Sequence, residues 1–170
     1  MAGARTPRRQ TLAAVAALAL AAAVVVLVTR AGSGDERPSA AGGCRSAVST
    51  AVLPGWARAG FFDGQPRVPH VLGTHGRIVA ILFGGTLHSP PSPDLRNKIL
   101  WVSPTSNAAP LRIDATHAGD GEHAHRQVAQ GPGPSYVDPP SAGCWHLDLT
   151  WGLAGRQKDS LDLTYAPPGR

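Results

Sequence analysis

Two cysteines, Cys44 and Cys144, are the only thiols in a chain of 170 residues. A thiol can serve as nucleophile, as metal ligand or as half of a disulfide, and each use implies a different kind of protein. A second set of chemistry-bearing side chains is concentrated in THAGDGEHAH, where His117, Asp120, Glu122, His123 and His125 fall within nine residues. In an extended GEHAH, His123 and His125 project from one face about 6 to 7 Å apart. Neutral imidazoles so placed can share Zn²⁺ or Cu²⁺, with His117 from the adjoining strand as a third nitrogen. The plainer reading of the same residues is a polar hairpin loop facing water. His70, His75, His88 and His146 stand alone and are expected at surface or edge positions. Asp148 and Asp162 fall on facing strands of the last hairpin, each on a polar face, where solvation accounts for them. The sequence carries no glycine-rich phosphate loop, no Gly-x-Ser-x-Gly elbow and no paired zinc spacing, so no cofactor is indicated.

The elements that must position these groups read as short strands, because no stretch after Cys44 keeps a 3.6-residue apolar period for three turns. VPHVLG and RIVAILFG flank Thr74-His75-Gly76 as a hairpin. NKILWVS, centred on Trp101, supplies the expected core aromatic. In LRIDATH, Leu111, Ile113 and Ala115 share a face. GEHAHRQVA is a weaker strand, and GPGPSYVDPPSAG a crossing loop with an extended piece at Ser135 to Val137. In CWHLDLTW, Trp145, Leu147, Leu149 and Trp151 point one way and Cys144, His146, Asp148 and Thr150 the other. GLAGRQKD turns, and SLDLTY returns with Leu161, Leu163 and Tyr165 inward. Some seven strands joined by Gly- and Pro-rich loops predict an all-β domain over residues 44–166, an immunoglobulin-like antiparallel sandwich with a tail at 167–170. LPGWARAGFF, Leu53 to Phe62, is too aromatic for a linker and is expected to cover a sheet edge or end.

Ahead of this domain, Thr11 to Thr29 holds no charge for 19 residues. As a helix it would cover about the 30 Å of a bilayer's hydrocarbon core. Arg5, Arg8 and Arg9 in residues 1–10 keep the N-terminus cytoplasmic and send the remainder outward. The same layout fits a secretory signal with small residues at Thr29 and Ala31, so the domain is expected either anchored by one transmembrane helix or secreted. A flexible linker occupies residues 30–43. The formal charge of +5 carries little meaning for nucleic acid, because five arginines and two acids precede Cys44, leaving 11 basic and 9 acidic residues after it. After Cys44, Arg45, Arg58, Arg67, Arg77, Arg96, Arg112, Arg126 and Arg156 are spread singly, whereas a phosphate-backbone binder needs a clustered basic face. The expected partners are the membrane, through the N-terminal helix, and an envelope component or protein.

On the oxidising side of a membrane two lone thiols pair. A Cys44–Cys144 bridge would disfavour the unfolded chain by about 4.7 kcal/mol in the chain-entropy account, which is reason enough to keep both residues. The runs LPGWARAGF, RVPHVLG, IVAILFG, NKILWV, GPGPS and GCWHLDLTW together resemble an uncharacterised family of exported actinobacterial proteins. That resemblance implies location and fold, and no activity. SAGCWHL also resembles, distantly, the cysteine signature of L,D-transpeptidases, matching at Ser141, Gly143, Cys144 and Leu147. It departs at Ala142, where that family has histidine, and at His146, where it has arginine. The expectation is a non-catalytic extracytoplasmic binding or structural accessory domain. The alternatives are a metal-binding sandwich using His117, His123 and His125, and a cysteine acyltransferase using Cys144.

Overall fold

The computed structural model describes residues 44–91, 96–105 and 108–168. The basic segment 1–10, the apolar run 11–29 and the linker 30–43 lie outside the described residues. Among those described, no helix is long and apolar enough to cross a membrane.

The strands in chain order are β1 (His70–Leu72), β2 (Val79–Leu82), β3 (Leu87–His88), β4 (Lys98–Val102), β5 (Leu111–His117), β6 (His123–Val128), β7 (Pro134–Tyr136), β8 (Gly143–Trp151) and β9 (Gln157–Ala166). They form a four-stranded sheet in the order β1-β2-β4-β7 and a five-stranded sheet in the order β3-β9-β8-β5-β6. All neighbours are antiparallel except β3, which runs parallel to β9. The all-β expectation holds in its coarse form of two sheets enclosing one core.

That core follows from period-two alternation. β8 buries Trp145, Leu147, Leu149 and Trp151 and turns His146 and Asp148 outward. β5 buries Leu111, Ile113 and Ala115, and β9 buries Leu161, Leu163 and Tyr165. From the other sheet come Ala80, Leu82, Ile99 and Trp101. Each of the three buried tryptophans, Trp101, Trp145 and Trp151, removes on the order of 200 Å² from water, worth about 5 kcal/mol of transfer free energy. Their indole N–H groups are all satisfied, Trp101 by Ser135 Oγ at 3.0 Å, Trp145 by Ser141 O at 3.0 Å and Trp151 by Thr105 O at 3.2 Å.

β2 is apolar on both faces, so its sheet needs two covers. Val79 and Ile81 point away from the main core and form a second cluster with Leu53 and Ala57, joined by Trp56, Phe61, Leu100 and Val102. The segment expected at a sheet edge or end therefore lies across the outer face of the four-stranded sheet. A 3₁₀ turn at Gly55–Ala57 shapes it. Arg58 Nε donates to Leu53 O at 2.8 Å and holds it in place.

Two further elements differ from the sequence-based expectation. TLHSPPSPD, Thr86 to Asp94, reads as a loop broken by three prolines, yet Leu87 and His88 pair with Tyr165 and Ala166. So short a strand leaves no periodic trace. β9 begins at Gln157 rather than near Ser160, because the β8–β9 turn occupies only residues 152–156 and pairing resumes at Trp151↔Gln157.

Candidate functional site

Cys44 and Cys144 form a disulfide with Cα atoms 5.2 Å apart. Among the described residues no cysteine is free. While the bridge stands, the thiol that a transpeptidase-like reaction requires is consumed. The bridge also fixes the residues just after Cys44 against β9. The Arg45 N–H donates to Asp162 Oδ2 at 2.8 Å, and the Asp162 N–H donates to Ser46 Oγ at 3.0 Å. Asp162 is buried for this reason, at 7% exposure, although its place on an alternating strand suggests a solvated carboxylate.

Asp162 in turn orients a histidine. His146 Nδ1 donates to Asp162 Oδ1 at 2.7 Å, and its Nε2 lies 3.6 Å from Asp148 Oδ1. His146, expected to be isolated, thus stands between two carboxylates. The register could have shown the first of these, since His146 and Asp162 are direct cross-strand partners. These side chains border a cleft of about 640 Å³ that also touches Ser46, Thr74 and Ser160.

Register extends the pattern across the whole outer face of the five-stranded sheet. One row reads Asp162, His146, Thr116, His123; the next reads Ser160, Asp148, Asp114, His125. A third reads Lys158, Thr150, Arg112, Gln127. His125 Nδ1 donates to Asp114 Oδ1 at 2.6 Å, and Thr116 Oγ1 is hydrogen-bonded to His123 Nδ1 at 3.2 Å. The face therefore presents two rows rich in acceptors beside one row rich in donors. Among the described residues His146 Nε2 makes no hydrogen bond to a hydroxyl or thiol.

The structure does not bring His117, His123 and His125 together. His123 and His125 pair with Thr116 and Asp114 on the outer face, while His117 follows the inward parity of Ile113 and Ala115. One residue of offset along a strand reverses the face, which defeats a shared metal. His117 instead stacks on Trp145, with ring centroids 5.1 Å apart, and donates from Nδ1 to Asp120 Oδ1 at 2.7 Å. Gly143, at φ 132°, leaves room for that ring, because a Cβ there would collide with it. Among the described residues no three His, Cys, Asp or Glu side chains are placed to hold a metal ion.

Of the remaining histidines, His70 is buried rather than exposed, with Nδ1 donating to Val68 O at 2.8 Å. His75 and His88 lie toward solvent. His75 donates from Nδ1 to the buried Asp159 at 3.1 Å. Burial pushes the Asp159 carboxyl up, but hydrogen bonds from the backbone N–H groups of His75, Arg77 and Ser160 and from the His75 ring outweigh it, holding it below the usual carboxylate value. The Asp120 carboxyl is lowered by the Glu122 backbone N–H and by His117. Burial, reinforced by the Asp138 charge, pushes the Tyr165 phenol up, and among the described residues its hydroxyl has no hydrogen-bond partner.

Comparison of the chain with protein families, curated proteins and solved structures finds no match.

Proposed function

We propose that the chain is a non-catalytic binding module of immunoglobulin-like architecture, held at the cell envelope outside the cytoplasm, whose working surface is the outer face of the five-stranded sheet. The observation that carries this reading is the contrast between the two outer faces: one sheet is sealed by residues 53–68, while the other displays ordered polar rows that, among the described residues, are covered only at the Asp162 end by Arg45 and Ser46. Such a face suits a polar partner with complementary donors and acceptors.

The strand order supports the architecture. β2-β4-β7 follows the A-B-E arrangement and β9-β8-β5-β6 the G-F-C-C′ arrangement of variable-type domains. A disulfide fits an oxidising compartment, and the uncharged run of residues 11–29 behind basic residues fits export. The accessory role itself rests on analogy of fold and surface.

The test places a photo-crosslinking residue at Thr116, on the open face, or at Asp63, on the segment over the other sheet, in the full chain in intact cells. A discrete adduct from Thr116 and none from Asp63 is expected. Equal adducts from both positions, or none from Thr116, reject the reading.

A further inference from the structure

The donor-rich row ends in a cleft of about 500 Å³ lined by Arg112, Thr150, Gly152, Ala154, Gly155 and Lys158. Arg112 and Lys158 are exposed and flank Thr150 in register, one on β5 and one on β9. Neighbouring strands are about 4.8 Å apart, so the two cationic side chains start about 10 Å apart and can close on one group above Thr150. Among the described residues neither forms an ion pair, although an acidic row lies alongside. The carboxylates of that row are turned to histidines, Asp114 to His125 and Asp148 toward His146. No carboxylate lines the cleft.

Its wall is the β8–β9 turn, GLAGR. Gly152, Ala154 and Gly155 all have positive φ, at 81°, 54° and 64°. Ala154 is the only non-glycine residue in that region among those described, a conformation that L-residues other than glycine rarely adopt. A Cβ on Gly155 would sit 3.0 Å from the Thr150 methyl, so the turn folds down over the row that carries the cations.

We infer that Arg112, Thr150 and Lys158 form a binding site for the phosphate group of an anionic ligand. A guanidinium fork, an ammonium and a hydroxyl approaching from three adjacent strands offer donors in three directions, which suits a tetrahedral oxyanion better than a planar carboxylate. The inference deepens the binding-module reading and rests on the same face being its working surface.

The test titrates the full chain in detergent, at constant ionic strength, with inorganic phosphate and separately with glycerophosphoglycerol, the water-soluble headgroup of an anionic lipid. Backbone amide shifts are followed by NMR. Saturable shifts at Thr150, Gly152 and Lys158 are expected. In the R112Q/K158Q variant the affinity falls at least about tenfold while the unfolding midpoint holds. The Arg67→Gln variant, outside the cleft, binds as the parent does. Tighter binding of glycerophosphoglycerol identifies a lipid or polymer ester as the source, and tighter binding of phosphate identifies the free ion. Shifts that sodium chloride reproduces, that persist in the double variant, or that never saturate overturn the site. Cross-linking from Thr116 reads the wider face separately, so an intact adduct with no phosphate response rejects this inference alone.

Discussion

The two sheets contribute similar strands to one core, yet their outer faces have opposite fates. In the four-stranded sheet, β2 buries all four of its residues because Leu53, Trp56, Ala57 and Phe61 close over Val79 and Ile81. In the five-stranded sheet, β8 alternates along most of its length and turns His146 and Asp148 to water. A sheet covered on both sides is committed to stability, whereas one left polar on its outer side retains a surface free to recognise something. Substitutions should separate the two roles, and the expected effects fall in a definite order.

The largest concerns the bridge that underlies both. Replacing Cys44 and Cys144 together with serine should lower unfolding stability by about 4 kcal/mol, measured in urea, since the closed loop spans 100 residues. Reductant added to the parent should reproduce that loss. A difference under about 1 kcal/mol would mean the sandwich does not depend on the bridge.

Next comes the sealed face. Leu53→Ala should cost about 3 kcal/mol by leaving a cavity over Val79 and Ile81, whereas His123→Ala on the open face should stay within about 0.5 kcal/mol. Equal losses would erase the contrast between the faces.

Asp159, where β9 meets the β1–β2 turn, should act with a pH signature. Its folded carboxyl lies below the ordinary value of 3.8. Its contribution is therefore complete above that value and is lost as pH falls through the lower folded one. Asp159→Asn should cost about 2 kcal/mol at neutral pH and flatten the acid limb of urea midpoints measured from neutral to strongly acidic pH. An unchanged limb would show that the carboxylate is not what holds the turn.

The smallest effect has the opposite sign. Asp114 and Asp148 are direct cross-strand partners on the open face. Like charges so placed repel, and Asp114→Asn should raise stability by about 0.5 kcal/mol at low salt, with the gain fading as salt is added. A loss instead would mean that the His125 contact outweighs the repulsion.

Much of the fold was readable in the chain because alternation is a local property. LRIDATH and GCWHLDLTW became β5 and β8 with their inward residues as expected, and Trp101 took its place in the core. The two lone cysteines paired as their count and setting suggested. What escaped was non-local. β3 exists only through its parallel pairing with β9, and the cover over the four-stranded sheet depends on which face a distant segment reaches. The histidine cluster misled because nearness in sequence says nothing about parity across a turn: His117 faces inward, while His123 and His125 face outward. Conversely, His146 looked solitary because its orienting partner Asp162 lies 16 positions away, and the backbone clamp on that carboxylate comes from Arg45, 117 positions away.

The sulfur bridge also has a mechanical meaning. Tension applied to the chain ahead of Cys44 passes through two sulfur atoms directly into β8, a central strand of its sheet. The residues between the two half-cystines lie off the load path and cannot be drawn out, so pulling on that end leaves the covered sheet at rest.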